Sequence, residues 1–102
     1  MWAQLITTRL KPGKESELSR LWEQFQSVER PDSGLVRSTA MQDQNDPSRV
    51  YMLIVFESEE QARARENDPE RQDALQDARA LMAEMFDGAP EFVDLKVVRE
   101  YS

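Results

Sequence analysis

Hydrophobic residues fall into four short blocks along the chain, and each block has the length and composition of a β-strand. The most hydrophobic block, Arg49–Phe56, holds seven consecutive apolar residues rich in β-branched and aromatic types. It is too short to cross a membrane, and it predicts a strand that is covered on both faces. The other strands are predicted at residues 2–10, 35–43 and 92–101, of which the strand at 35–43 alternates imperfectly and is expected to be moderately buried.

Between the strands, the apolar period changes to that of amphipathic helices. The first helical segment begins near Lys14 and ends before Pro31. Its apolar side chains recur three or four residues apart, at Leu18, Leu21, Trp22, Phe25 and Val28. Residues 58–61 read Ser-Glu-Glu-Gln, which has the form of a capping box and predicts the start of a second helix. Asn-Asp-Pro at 67–69 interrupts that helix, and a further helix runs to about Phe86.

The predicted order is strand, helix, strand, strand, helix, strand. This βαββαβ order is typical of the ferredoxin-like fold, an α+β arrangement in which helices cover one face of a single antiparallel sheet. A chain of 102 residues has the size of one domain. We therefore predict a single ferredoxin-like domain over residues 1–102.

The central strand also predicts a second protein layer. Alternation places its apolar side chains in two sets on opposite faces: Val50, Met52, Ile54 and Phe56, and then Tyr51, Leu53 and Val55. The chain's own helices can cover only one face, and each apolar side chain left in water would cost roughly 1.5–3 kcal/mol. We therefore expect a homodimer through the sheet faces, joined by apolar groups of the outer strands such as Leu5, Leu95 and Val97. Which face meets the partner depends on strand register and stays open.

Composition and charge narrow the classes of function. The net charge of −7 opposes binding to nucleic acid or to an anionic membrane surface, so neither is an expected partner. The chain contains no cysteine and no histidine, which removes thiolate nucleophiles, imidazole bases and Cys/His zinc sites. The N-terminal residues have no basic leader or long apolar core, and we expect a cytoplasmic protein.

Four turn and cap segments resemble the antibiotic biosynthesis monooxygenase family, part of the dimeric α+β barrel superfamily. They are Leu10-Lys11-Pro12-Gly13-Lys14, Pro31 with Gly34-Leu35, Asp43 with Asp46-Pro47, and Val55 to Ala62. The resemblance implies a homodimer whose two sheets face each other as a barrel, with a pocket between sheet and helices in each subunit. Characterised members include cofactor-free oxygenases of electron-rich polycyclic phenols, haem-degrading oxygenases, and enzymes of quinols or small aldehydes.

Two departures from the family pattern bear on cofactors. Haem-degrading relatives hold iron with a histidine and distort the macrocycle with a tryptophan near the end of the third strand. This chain has no histidine, Phe56 stands where that tryptophan would fall, and only Tyr51 or a methionine is left as an iron ligand. Residues 62–67 also lack the histidine that many relatives carry in the helix after the third strand. We expect no tight haem binding and no cofactor.

Candidate pocket residues are aromatic and thioether side chains suited to a flat, apolar, aromatic ligand: Trp22, Phe25, Phe56, Met82 and Phe86. Alternatively, they fill the core between helices and sheet. Tyr51 is a candidate hydrogen-bond donor to a developing oxyanion, or else a strand residue with its hydroxyl at the rim. Arg65 and Asn67 are candidates for the pocket mouth, or else solvated, like the neighbouring charged residues from Arg63 to Asp73. Residues 43–46 resemble a calcium loop but lack its spacing, so we predict a turn and no metal site.

These observations support two readings of function. In the first, the protein is a cofactor-free monooxygenase acting on a small aromatic or polyketide-like phenol, with catalytic residues that the sequence does not identify. This reading fits a chain without histidine or cysteine because a deprotonated substrate can react with dioxygen directly. In the second, it is a non-catalytic dimeric α+β barrel protein that binds a small molecule or has a structural role.

Overall fold

The computed structural model describes residues 1–102, and its elements follow the predicted order. The strands are β1 (Trp2–Arg9), β2 (Leu35–Gln42), β3 (Arg49–Phe56) and β4 (Glu91–Lys96), and the helices are α1 (Leu18–Ser27), α2 (Glu59–Glu66), α3 (Pro69–Ala74) and α4 (Gln76–Met85). A 3-10 turn at Glu15–Glu17 leads into α1. None of the helices is long and apolar enough to cross a membrane.

The four strands form one antiparallel sheet in the order β2-β3-β1-β4. The hydrophobic strand β3 therefore lies inside the sheet, between β1 and β2. Leu53 at its centre is opposite Leu5 of β1 and Thr39 of β2. The structure confirms the predicted α+β, ferredoxin-like class, with its helices on one face of the sheet.

Three local predictions were wrong, each for a physical reason. The last strand ends at Lys96 instead of continuing to residue 101, because Lys96 pairs with Trp2, the first residue of β1, and only one further backbone hydrogen bond, from Val97 to Met1, follows. β2 is exposed from its second residue onward, since it is the edge strand of the sheet. The last helical region divides at Leu75, where a ψ of 0° departs from regular helical geometry and the side chain is buried in the core.

The start of α2 is held by its cap and by a close approach of β2. The Ser58 hydroxyl accepts a hydrogen bond from the Gln61 backbone N–H at 3.2 Å, as the capping-box pattern predicts. The Gln61 side chain contacts Ser58 Oγ instead of reaching back to the Ser58 N–H. Gly34 has φ +82°, and a Cβ there would lie 2.7 Å from the Gln61 side chain. Glycine is therefore required here both for its backbone angle and for space.

The structure settles which face of β3 meets the helices. Val50, Met52, Ile54 and Phe56 point to the helical side, where they pack in or between two apolar clusters. One cluster lies where β1 ends and β3 begins: Leu10, Leu18, Leu21, Val50, Leu75, Ala78, Leu81 and Met85. The other lies at the opposite end of the same strands: Trp2, Ile54, Phe56 and Ala62. The core is thus divided between the two ends of the sheet.

We call the face turned away from the helices the outer face, and the residues after β4 cross it. The Val97 N–H donates to the Met1 carbonyl at 3.2 Å, beside β1. Arg37, on the far edge strand β2, pairs with Glu100 at 3.2 Å. Val55, which lies opposite Arg37 and points away from the helices, is buried on this face. Val93 and Leu95 on the same face are exposed.

Candidate functional site

A cavity of about 1240 Å³ lies between the sheet and the helices, in the space that separates the two apolar clusters. Ligand pockets commonly measure about 300–1,000 Å³, so the cavity has room for a molecule of several fused rings. Only 14 of the 102 residues are buried, in keeping with a core that is hollow in the middle. The cavity is the main candidate site of the protein.

The floor of the cavity is made of sheet residues with short or slender side chains. Ser38 and Ala40 of β2 and Thr8 of β1 cannot fill the space below the helices, while Ile6 and Met52 give the middle of the floor an apolar surface. The hollow follows from this distribution, because the largest side chains of this face of β1 and β3, those of Trp2 and Phe56, lie together at one end of the strands.

The structure brings together six of the eight residues that the sequence singled out. Lining the cavity are Trp22, Phe25, Phe56, Arg65, Met82 and Phe86. Trp22 and Phe25 stack with ring centroids 6.3 Å apart, and they form one flat aromatic wall. Tyr51 instead points to the outer face, where Arg49 packs over its ring, and Asn67 is exposed at the end of α2.

Arg65 is fixed in the cavity wall by a carboxylate that the sequence analysis did not select. Its Nε lies 3.1 Å from both Glu29 carboxylate oxygens, and its guanidinium lies over the Phe56 ring at 5.1 Å. Both side chains of the ion pair are largely buried, at 14% and 19% exposure. Burial by itself would raise the pKa of Glu29, but the hydrogen bond and charge of Arg65 outweigh it and hold that pKa below its usual value.

This ion pair predicts a specific loss of stability in acid. Because the pKa of Glu29 is lower in the folded state than its ordinary value of 4.5, its contribution is complete above that pH and disappears as the pH falls through the folded pKa. The Glu29→Gln variant should be less stable by about 1–3 kcal/mol at neutral pH. It should also lose less stability than the wild type between pH 6 and pH 3, as measured by urea unfolding at a series of pH values.

Glu23→Gln is the matched control, since Glu23 is an exposed residue of α1 for which no ion pair is present. This variant should keep the pH dependence of the wild type. Parallel pH profiles for Glu29→Gln and wild type would contradict the assignment of acid sensitivity to the Glu29–Arg65 pair.

Arg71 is the polar residue whose placement differs most from the sequence-based prediction. It was assigned with its charged neighbours to a solvated face, but it is half-buried and lines the cavity. Its Nε is enclosed and has no hydrogen-bond partner. Burial of the guanidinium and the neighbouring charge of Arg65 lower the pKa of Arg71. No local signal distinguishes it, because its burial depends on how α3 packs.

Arg63, from the same charged segment, is held by ion pairs and by an aromatic ring. It pairs with Asp94 of β4 at 2.8 Å and with Glu59 of its own helix at 3.1 Å. Its guanidinium also lies 5.0 Å from the centre of the Trp2 ring. The pair with Asp94 therefore joins α2 to the edge strand β4 of the sheet.

The cavity therefore has two chemically different sides, one made of aromatic and thioether groups and the other of arginine side chains. Aromatic and thioether groups can stack on a flat, apolar molecule. The arginine side chains on the helical wall favour negative charge on whatever is bound. The arrangement suits an aromatic compound with an acidic group.

Solved structures from several bacteria have the same fold. A protein from Nitrosomonas europaea, named as a candidate antibiotic biosynthesis monooxygenase, is 17% identical and superposes with a TM-score of 0.75, covering 97% of this chain and all of its own. A protein of the same description from Chloroflexus aurantiacus is 24% identical and has a TM-score of 0.68, covering 100% of this chain and 98% of its own. Another, from Deinococcus radiodurans, is 11% identical and has a TM-score of 0.74, covering 100% of this chain and 97% of its own. No protein of curated function matches the sequence significantly.

The family model described as "antibiotic biosynthesis monooxygenase" matches residues 1–77. This range extends from β1 through α3 and contains the four turn and cap segments on which the resemblance was based. The chain therefore belongs to the antibiotic biosynthesis monooxygenase family.

Proposed function

We propose that the protein is a cofactor-free monooxygenase that oxidises a small aromatic or polyketide-like phenol in the cavity. The observation that carries the proposal is the cavity itself, which is large enough for fused rings and has the stacked Trp22–Phe25 pair as a flat wall. Membership of the family supports the reaction class.

The reaction requires little of the protein beyond orientation and charge stabilisation. A phenol loses its hydroxyl proton, and the electron-rich ring carbon of the phenolate then forms a bond to dioxygen. The resulting carbon-bound peroxide takes up the released proton, and the ring hydrogen and the outer OH group then leave together as one water, which leaves a quinone carbonyl. The substrate gives up four electrons, one oxygen atom stays on the ring and the other leaves as water. The cationic wall of the cavity stabilises the phenolate form.

We further propose that the active protein is a homodimer in which the outer faces of two sheets meet. Leu5, Leu53 and Val93 share a row across that face, where the chain has no helix to cover them. The cavity lies on the opposite side of the sheet, so each subunit would keep its own site.

Oxygen uptake tests the proposed reaction. The protein is incubated in air with a panel of polycyclic phenols and hydroquinones, and uptake is compared with protein-free blanks that account for spontaneous oxidation. We expect protein-dependent uptake with at least one compound, and Trp22→Ala should lower its rate by about tenfold or more because the ring is no longer held flat. Glu23→Ala shortens an exposed side chain of the same helix, outside the cavity, and should keep the wild-type rate.

No protein-dependent uptake on any member of the panel would contradict the proposal and favour a binding role for the cavity. Equal rates for Trp22→Ala and wild type would place the reaction outside it.

A further inference from the structure

Among the charged side chains, Arg71 alone has a buried polar atom without a hydrogen-bond partner. Its guanidinium makes no ion pair, although the chain has 20 acidic residues against 13 basic ones. Other arginines are paired with carboxylates: Arg9, Arg20, Arg30, Arg37, Arg63 and Arg65. Arg71 is thus a cation held inside a mostly apolar cavity with no counter-charge bound to it.

Glu29 and Asp68 offset part of this charge from a distance, but neither forms an ion pair with Arg71. Glu29 is already paired with Arg65, whose Nε–H donates to both carboxylate oxygens of Glu29. Arg79 lines the same cavity and also forms no ion pair, so it adds to the positive charge there. A buried charge without a partner is unfavourable, and its free N–H groups favour any anion that can enter.

We propose that the ligand of the cavity carries a carboxylate on its aromatic ring, and that the guanidinium of Arg71 binds this carboxylate. The inference rests on the proposed function and deepens it by naming the substrate class, an aromatic hydroxy acid. A guanidinium edge binds the two oxygens of a carboxylate in parallel, and Arg71 lines the cavity without an ion pair that would occupy such an edge. The ring lies on the apolar surface formed by Trp22 and Phe25.

The test measures binding alone, without turnover. 1-Hydroxy-2-naphthoate and 1-naphthol share a ring and a hydroxyl, and only the first carries a carboxylate. Each is titrated into the protein under nitrogen and followed by calorimetry. We expect the wild type to bind the acid tighter by on the order of 10- to 100-fold. Arg71→Met should abolish this preference, and Arg71→Lys should keep only part of it, because an ammonium cannot donate two parallel bonds.

Arg20→Met is the matched control, since Arg20 is an exposed residue of α1 that does not line the cavity; this variant should retain the full preference. Removing an unpaired, half-buried charge should leave the thermal midpoint of Arg71→Met at or above that of the wild type. Equal affinity of the wild type for the two compounds, or no measurable binding of either, would overturn the inference, and so would an undiminished preference in Arg71→Met.

The result is independent of the oxygen-uptake experiment. A carboxylate preference that depends on Arg71, found in a protein that consumes no oxygen, would support the ligand class and refute the monooxygenase. Oxygen uptake with phenols that lack a carboxylate, together with equal binding of the two probes, would support the monooxygenase and refute the carboxylate-bearing ligand class. Tighter binding of 1-naphthyl phosphate than of the carboxylate would also overturn the inference.

Discussion

Leu53→Asp is expected to unfold the protein instead of producing a stable monomer. Leu53 lies at the centre of the outer face, opposite Leu5 and Thr39 on the neighbouring strands. In the proposed dimer, this position is enclosed between two sheets, where an unpaired carboxylate costs several kcal/mol, a large part of a net stability of about 5–15 kcal/mol. Because an interface of more than roughly 2,000 Å² couples folding to association, losing the dimer should mean losing the fold.

Light scattering and circular dichroism measure the two parts of this expectation. The wild type should be a dimer at micromolar concentration, with a thermal midpoint that rises with protein concentration. Ser19→Asp introduces the same charge at an exposed position on α1 and should leave both properties unchanged. A well-folded wild-type monomer would exclude the dimer, and a folded dimeric Leu53→Asp would show that the outer face is not the interface.

Met85→Ala is expected to lower the free energy of unfolding by about 2–5 kcal/mol. Met85 is completely buried in the apolar cluster with Leu10, Leu18 and Leu21, and it does not line the cavity. Truncation would leave a closed void among these side chains, which restores few of the lost contacts. Urea denaturation at a fixed protein concentration measures the change.

Met82→Ala provides a matched comparison on the same helix. Met82 is only partly buried and faces the cavity, so its truncation enlarges a space that already exists. We expect a loss of about 1 kcal/mol or less, because little additional apolar surface is exposed. Similar losses for the two variants would contradict the distinction between a packed cluster and a hollow centre.

The fold could be predicted because its signals are local. The short apolar run in Arg49–Phe56 is typical of a buried strand. The Ser58 cap and the proline at residue 69 mark the starts of helices, because each has a defined role in the first turn. Which face of β3 meets the helices could not be predicted, because this depends on pairing between strands that lie far apart in the sequence. The early end of β4 has the same origin, since its partner strand begins at Trp2.

The site could be predicted only in its apolar part. Trp22, Phe25 and Met82 follow from the apolar stripe of an amphipathic helix, because the face that covers the sheet also covers the cavity. Arg71 looks like its charged neighbours in sequence. Its burial is set by the position of α3, at whose start Asp68 and Glu70 pair with Arg30 from a distant segment. Contacts of this kind between distant segments leave no pattern in the sequence.

The division of the core into two clusters has a consequence for how such a protein can evolve. Substitutions within the clusters change stability, whereas substitutions on the floor between them, at positions such as Ser38 and Ala40, change mainly the shape of the hollow. A lineage can therefore exchange one ligand for another without first acquiring compensating mutations in the core. Related proteins should then differ in their ligands while they still share the fold, and paralogues of this chain should differ most at the floor positions.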